Sequence, residues 1–246
     1  MTEQTLNPRG VVRRSIQPMV ALRALRILFG NPDDTRQVFV IIRSMAGDAF
    51  ERLYQRVLAD PTGNRVLGER RDILTLLQDR EGLRALPEGT LGREYARFMD
   101  RENISADGLV EASEESDDEQ HFLDERAKVL SRRLRDTHDL WHVATGYQRD
   151  LFGEGALLAF SWAQTRNRGI AVILLIASLK HLRDGYPGFV RMLWQGWRRG
   201  RRAAFFPAAD WEALLRTPLD EARRQLRVTD TPDYTPVFSE GALATR

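Results

Sequence analysis

The sequence predicts an all-α protein that folds as a single multi-helix domain. Apolar residues recur at three-to-four spacing through most of the chain, the spacing that gives a helix one apolar face. No segment has a convincing strand pattern, and 246 residues with 42% apolar content suit one large domain. We expect the domain to span residues 1–228 and an irregular C-terminal tail to span 229–246, where Pro232 and Pro236 interrupt the period.

Helices in the first half of the chain begin and end at recognisable residues. Asp33-Asp34-Thr35 can cap a helix that begins near Arg36 and stops at Asp60-Pro61. Glycine and proline within 86–92 predict a turn. Residues 9–29 form either the first amphipathic helix, which we favour, or an organelle-targeting segment. The predicted helices of this half are 9–29, 36–60, 64–77 and a short one containing Tyr95, Phe98 and Met99.

The second half follows an acidic stretch over 111–125, which we interpret as a solvated linker or helix surface. Thr217-Pro218-Leu219-Asp220 has the pattern of a helix start, with proline at the first helical position. The predicted helices of this half are 124–148, 154–167, 170–183, 187–202, Trp211 to Leu215, and a last helix that ends near Leu226.

Composition excludes several classes of function. The chain has no cysteine, which excludes disulfides, thiolate metal sites and cysteine nucleophiles. The formal net charge of +2 gives no general attraction to nucleic acid, so we expect no nucleic-acid partner. The longest apolar run, Gly169 to Leu179, is shorter than the ~20 residues of a membrane-spanning helix. We expect no spanning segment, although contact with a membrane surface stays open.

Two histidines suggest a metal site. His138 and His142 are four residues apart, which places both imidazoles on one face of a helix, one turn apart. Asp139 lies at the edge of that face, where it can be a ligand or can orient an imidazole. Such a histidine pair is common by chance, and core or surface histidines are the alternative. Arg135 shares the face and could bind a substrate carboxylate or pair with Asp139.

Glu154 can complete this set only if the helix ends before it. On a continuous helix Glu154 would lie ~18 Å from His142 along the axis and point away from it. Gly146 and Gly153 flank a short irregular stretch, so a helix starting at Glu154 can fold back. A carboxylate in a first helical turn is also favoured by the helix dipole alone. Two nitrogens with one or two oxygens suit zinc, iron, manganese or cobalt and leave coordination positions open.

Two further segments are unusual. The helix around Ile170 to Leu182 is apolar on nearly every side, which predicts burial in the core or, less favoured, the lining of an apolar ligand tunnel. The segment from Trp194 to Phe206 interleaves bulky aromatics with arginines. That composition suits contact with anionic lipid headgroups and equally suits a helix C-terminus with a cationic last turn.

The metal-site residues carry a family resemblance. His138, Asp139, His142 and Glu154 fit H-D-x-x-H followed by eleven residues and Glu, which resembles the ubiquinone (coenzyme Q) biosynthesis protein 4 family. The resemblance extends over about residues 20–228. Other matching segments are Arg133, Arg135 and Asp136, Pro32 to Thr35, Leu86 to Gly92 with Tyr95 and Phe98, Ala163 to Thr165, Trp197, Pro218-Leu219, Arg223 and Leu226.

The resemblance implies an all-α fold with a metal, usually zinc, on the four motif residues and an apolar cavity for a polyprenyl tail. It implies replacement of the C1 carboxyl of a polyprenylated benzoate by hydroxyl, or organisation of the quinone-synthesis complex at a membrane. Implied partners are the polyprenylated precursor and other ubiquinone-synthesis enzymes, with a homodimer left open. A bacterial member would lie peripherally on the cytoplasmic side of the inner membrane, and a eukaryotic one on the matrix side in mitochondria.

Two other functions stay open at this point. One is a non-catalytic lipid-binding scaffold in which the metal fixes the fold. The other is a metallohydrolase, because H-D-x-x-H is similar to the zinc-binding H-E-x-x-H helix, with Asp139 as a shorter general base. A phosphohydrolase with a His-Asp dyad would need further ligands, and His121 and His181 are poorly placed for that role.

Overall fold

The computed structural model describes residues 15–30, 35–102 and 124–237. Over these residues the protein is a single all-α domain, and the β-structure in them is one isolated bridge between Thr90 and Pro218. The helices are α1 (Pro18–Gly30), α2 (Thr35–Ala46), α3 (Ala49–Ala59), α4 (Pro61–Gly68), α5 (Ile73–Gln78), α6 (Arg80–Ala85), α7 (Leu91–Arg101), α8 (Glu125–Asp136), α9 (His138–Thr145), α10 (Leu151–Thr165), α11 (Arg168–Arg183), α12 (Gly188–Arg202), a 3-10 turn (Phe206–Ala208), α13 (Trp211–Leu214) and α14 (Leu219–Leu226).

The predicted helices 36–60 and 64–77 are each divided in the structure. Gly47 has a left-handed backbone (φ 55°), which ends α2 and lets α3 leave in a new direction. Arg70 is also left-handed (φ 50°), and Asp72 then caps α5 by accepting a hydrogen bond from Leu74 N. The sequence pattern did not indicate these breaks, because apolar residues keep a three-to-four spacing in the short helices on both sides of each break.

Other predicted boundaries agree with the structure. Asp60 caps α4 by accepting from Thr62 N and Gly63 N, with Pro61 at the first helical position. The turn predicted at 86–92 is present, with Gly89 left-handed (φ 75°). The last helix starts one residue later than predicted, so Pro218 occupies the N-cap rather than the first helical position.

Helices α10 and α12 pack with their backbones in close contact. A Cβ atom at Gly196 would lie 2.0 Å from the Ala156 carbonyl oxygen, so a larger residue cannot occupy this position without a shift of the helix. Phe189 and Leu193 of α12 pack beside this contact with Ala159 of α10. This close contact fixes the position of α10 relative to α12.

The largest core lies under α7, α9 and α10. Leu140 and Trp141 of α9 are buried in it, and the Trp141 ring makes edge contacts with Phe160 of α10 and with Phe206. Tyr95 and the other buried residues of α7 belong to the same core. This apolar contact fixes three helices relative to one another, and the polar motif residues lie along its edge.

Helix α11 differs from the prediction of burial on nearly every side. Ile170 and Leu174 are buried, but Leu175 is 61%, Leu179 62% and Leu182 50% exposed. The three exposed leucines follow a helical spacing, so they lie on one exposed face of α11. Among the described residues, helices long and apolar enough to cross a membrane are absent.

The described part of the predicted tail, 229–237, is irregular but packs against the domain through backbone and side-chain hydrogen bonds. Most of the acidic stretch 111–125, including His121, lies outside the described residues.

Candidate metal centre

The helix predicted over 124–148 is interrupted at Thr137. The Thr137 hydroxyl donates to the Arg133 carbonyl (2.7 Å), and its backbone (φ −86°, ψ 1°) leaves helical geometry. His138 therefore begins a new short helix, α9, rather than continuing α8. Arg135 lies on α8, and its Nε contacts the Asp136 carboxylate at 2.6 Å. Sequence spacing on one continuous helix suggested a contact with Asp139, whereas the contact described here is with Asp136.

The C-terminal end of α9 is capped by distant arginines. Arg223 donates to the carbonyls of Val143 and Ala144 at 3.2 and 3.0 Å. Arg199 Nη2 donates to the Thr145 carbonyl at 2.9 Å, and Gly146 then turns left-handed (φ 79°). These contacts satisfy carbonyls that the end of a helix leaves without intrahelical donors. The chain can therefore reverse at this point.

Helix α10 begins at Leu151, three residues before the start that the sequence predicted. Asp150 caps it, because its carboxylate accepts from Phe152 N (3.0 Å) and Gly153 N (3.3 Å). Glu154 thus lies in the first turn and faces back toward α9. Its Oε2 lies 3.5 Å from His142 Nε2.

The motif side chains converge. His138, Asp139 and His142 each offer a ligand atom, and these atoms lie within 4.8 Å of one another. Glu154 joins them through the contact with His142. Atoms bound to one zinc ion at ~2 Å lie at most ~4 Å apart, so the separation of these donors is close to that of ligands on one ion. His142 and Asp139 are buried, whereas the side chains of His138 and Glu154 are 38% and 42% exposed, so the cluster is open to solvent on one side.

His142 is oriented for binding through one nitrogen. Its Nδ1 lies 3.0 Å from the Tyr147 carbonyl oxygen, an acceptor only, so Nδ1 carries the proton. In the neutral imidazole Nε2 is then the lone-pair nitrogen. Within the described residues this buried atom makes no hydrogen bond, and it lies 3.5 Å from Glu154 Oε2. The ring also stacks on Phe98, with 5.8 Å between centroids. A buried acceptor without a donor costs stability unless a ligand satisfies it.

Opposite charges balance within the cluster. Partial burial would raise the pKa of Glu154, but the charge and hydrogen bond of His142 in its protonated form, then His138 and Arg149, lower it to about 2. In that metal-free form the Nε2 proton occupies the lone pair that a metal ion would take. Partial burial would lower the pKa of His138, but the Asp139 hydrogen bond and the Glu154 charge raise it. Burial likewise opposes the lowering of the Asp139 pKa by His138. Both acids are therefore anionic at neutral pH, as metal binding requires.

Arg149 also lies beside the cluster, and it was not among the residues that the sequence pattern selected. Its Nε lies 3.4 Å from Glu154 Oε1, and its charge lowers the pKa of His138, Asp139 and Glu154. The residue lies within the Gly146–Gly153 stretch, the point at which the sequence allowed the next helix to fold back toward the histidines. That prediction was the signal that could have identified it.

The donor set fits a divalent transition metal. Two imidazoles and two carboxylates are the ligand types that zinc, iron and manganese accept. The oriented His142 with its unpartnered Nε2 is the structural observation that supports the fit. With Asp139 orienting His138 instead of binding the metal, the other three residues would leave a coordination position for water or substrate.

Comparisons with known proteins bear on this motif. The family model described as coenzyme Q (ubiquinone) biosynthesis protein Coq4 matches residues 14–232. The mitochondrial ubiquinone biosynthesis protein coq4 of Aspergillus flavus is 32% identical over 186 residues, which cover 74% of this chain and 61% of the relative. The mitochondrial COQ4 homolog of Danio rerio is 31% identical over 208 residues, which cover 82% of this chain and 72% of the relative.

A solved structure has the same fold. The crystal structure of a candidate ubiquinone biosynthesis protein from Nostoc punctiforme superposes with a TM-score of 0.65 and covers 88% of this chain and all of the other. At 23% sequence identity this likeness concerns the fold alone. The family match over most of the chain confirms the resemblance that the motif suggested, and the chain belongs to the coenzyme Q (ubiquinone) biosynthesis protein Coq4 family.

Proposed function

We propose that this protein binds one divalent metal ion through His138, Asp139, His142 and Glu154 and replaces the ring carboxyl of a polyprenylated benzoate with hydroxyl during ubiquinone synthesis. Zinc is the metal we favour, with iron and manganese as alternatives. The observation that carries the proposal is the buried, unpartnered Nε2 of His142 beside two carboxylates.

The chain's own residues have distinct roles in this proposal. The metal, when bound, would supply a Lewis acid that polarises the ring carboxylate. The replacement is a two-electron oxidation in which the carboxyl leaves as CO2, water supplies the hydroxyl oxygen, and dioxygen accepts the two electrons and becomes hydrogen peroxide. The Tyr147 carbonyl keeps His142 in the tautomer with a free Nε2. Arg149, at the exposed side of the cluster, can pair with the substrate carboxylate, a role that spacing suggested for Arg135.

The exposed face of α11 and α12 supports contact with a membrane surface. We define the apolar stripe as Leu175, Leu179, Leu182, Tyr186, Val190 and Trp194, all at least 40% exposed. Arginines 183, 191 and 198 in the same stretch of sequence are exposed, and Arg198 lies over the Trp194 ring at 5.0 Å. Apolar and aromatic side chains edged by cations suit an anionic lipid surface. The segment Trp194–Phe206 is divided, because Phe206 and Arg199 are buried.

Such a surface would give access to a precursor with a polyprenyl tail, which partitions into lipid. We infer a peripheral position on the cytoplasmic side of the inner membrane in a bacterium, or on the matrix side in mitochondria, near other enzymes of ubiquinone synthesis. The names of the Aspergillus and Danio relatives place those proteins in mitochondria.

The direct test measures metal content and conversion together. Protein purified without chelator is analysed for metals and incubated in air with a prenylated 4-hydroxybenzoate, and the products are identified by mass spectrometry. We expect about one metal per chain and formation of the hydroxylated product, both lost in His142→Ala. His181→Ala is the matched control, because it removes a histidine that is not part of the motif and that packs on Phe189 of α12.

The outcomes separate the candidate functions. Conversion by His142→Ala at the wild-type rate would contradict the proposal. A wild-type protein that binds metal and precursor but releases no product would instead support the non-catalytic scaffold. Turnover of a peptide or phosphoester panel that depends on His142 would support the metallohydrolase.

A further inference from the structure

Residues 230–237 lie along the loop that joins α9 to α10. Pro232 packs on Gly146, where a Cβ would lie 3.1 Å from Pro232 Cδ. Val237 pairs with the start of α10, because Leu151 N donates to the Val237 carbonyl at 2.8 Å. The segment therefore contacts both ends of the loop. Its even-numbered residues from 232 to 236 are half-buried and its odd-numbered ones from 231 to 235 are exposed, as expected for an extended strand-like segment on a surface.

Tyr234 makes the central contact. Its hydroxyl donates to Asp150 Oδ2 at 2.6 Å and accepts from Gln148 N at 3.0 Å. Val237 N also donates to Asp150 Oδ1 at 3.0 Å. Burial and then the Asp150 hydrogen bond raise the pKa of the Tyr234 phenol, so it stays a donor at neutral pH. The carboxylate that caps α10 is therefore held on both oxygens by the tail.

The loop so held controls two of the candidate ligands. The Tyr147 carbonyl fixes the orientation of His142, and Tyr147 lies one residue before the amide that Tyr234 accepts from. The Glu154 amide donates to the Asp150 carbonyl at 2.8 Å, so a displacement of the cap displaces Glu154. Gly153 leaves room for this contact, because a Cβ there would lie 2.6 Å from the Tyr234 hydroxyl.

We infer that Tyr234 is a positioning residue for the metal centre: its bridge between Gln148 and Asp150 holds the α9–α10 loop so that His142 and Glu154 point at the same ion. The inference rests on the proposed metal site. It assigns to the irregular tail a role in metal affinity rather than in folding alone. Hydrogen-bond partners that orient metal ligands typically change affinity by about 10–100-fold when removed.

Tyr234→Phe tests this by removing one hydroxyl. We expect the dissociation constant for Zn²⁺, measured by competition with a chromophoric chelator, to rise about tenfold. In metal-free protein we expect faster hydrogen exchange at the amides of Gln148, Phe152 and Gly153. Tyr54→Phe is the matched control, because the Tyr54 hydroxyl donates to Asp124, the N-cap of α8, far along the chain from the cluster. It should leave Zn²⁺ affinity unchanged.

The outcomes distinguish this inference from the proposed function. If wild-type protein and His142→Ala bind Zn²⁺ equally, the metal site itself is wrong. If His142→Ala loses Zn²⁺ but Tyr234→Phe binds it within about twofold of wild type, Tyr234 does not position the ligands. Unchanged exchange of the loop amides in Tyr234→Phe would overturn the inference even without metal, because the hydroxyl would then hold nothing.

Discussion

The metal-site cluster and the apolar stripe depart from ordinary burial in opposite directions. His142 and Asp139 are polar and 0% and 3% exposed, whereas Leu175 and Leu179 are apolar and 61% and 62% exposed. Both arrangements cost free energy in an isolated chain, the first through desolvated polar atoms and the second through apolar surface in water. These two departures are the basis of the two proposals made above: a metal ion for the cluster and a lipid surface for the stripe.

The largest expected effect is loss of metal from the cluster. Replacing His142 with Asn removes the oriented Nε2, so the Zn²⁺ dissociation constant should rise more than about 100-fold, beyond the usual effect of losing a ligand's supporting contact. Binding to lipid vesicles should not change, since the stripe is untouched. Equal Zn²⁺ affinity in wild type and variant, measured by chelator competition, would contradict the assignment of the cluster to a metal ion.

A second expected effect is loss of vesicle binding. Leu175→Glu with Leu179→Glu places two anions in the stripe, so binding to vesicles containing phosphatidylglycerol should fall at least about tenfold. Zn²⁺ affinity should be unchanged. Leu76→Glu is the control, because Leu76 is 39% exposed on α5. The assignment of the stripe to lipid fails if cosedimentation of the double variant equals that of Leu76→Glu.

A smaller effect concerns the turn that reverses the chain. Gly146 is left-handed (φ 79°) and faces Pro232, so Gly146→Ala should lower the free energy of unfolding by about 1–2 kcal/mol. It should also weaken Zn²⁺ binding, because the turn leads into the loop that orients His142. Thermal unfolding with and without Zn²⁺ measures both, and a variant as stable as wild type would contradict the account of the turn.

The smallest effect separates helix capping from metal positioning. Asp60 caps α4 in the same way as Asp150 caps α10, but with no motif residue in the helix that follows. Asp60→Ala should cost about 1 kcal/mol of stability, as typical cap losses do, and leave Zn²⁺ affinity intact. Weaker Zn²⁺ binding in this variant would show that a loss of stability anywhere in the domain weakens the cluster. Reduced Zn²⁺ affinity in the other variants would then not indicate a role in positioning the ligands.

The sequence predicted the fold class and the membership of the cluster from periodic features. Helical spacing predicts helices, and four-residue spacing places His138 and His142 together in any helix that contains both. The glycines around 146–153 predicted the reversal, which brings Glu154 to His142. The pattern did not predict where individual helices begin and end. The break at Thr137 falls within an unbroken helical pattern, and Asp150 rather than Glu154 sets the start of α10.

The sequence also did not predict contacts between residues that are far apart along the chain. The composition of α11 shows that it is apolar but not what covers it, so burial was predicted where the structure has an exposed stripe. Arg135 was chosen by position along an assumed continuous helix, whereas Arg149 lies at Glu154 because a loop returns there. The contact of Tyr234 with Asp150 joins residues 84 positions apart, and no local pattern predicts it.

The central claim is that one ion binds between His142 and the carboxylates around it. Anomalous diffraction at the zinc absorption edge, from crystals grown with equimolar Zn²⁺, tests it most directly. The account predicts one strong peak ~2 Å from His142 Nε2, with His138, Asp139 and Glu154 oxygen or nitrogen atoms turned toward it. Absence of a peak at the cluster, with Glu154 turned into solvent and His142 Nε2 still without a partner, would contradict it.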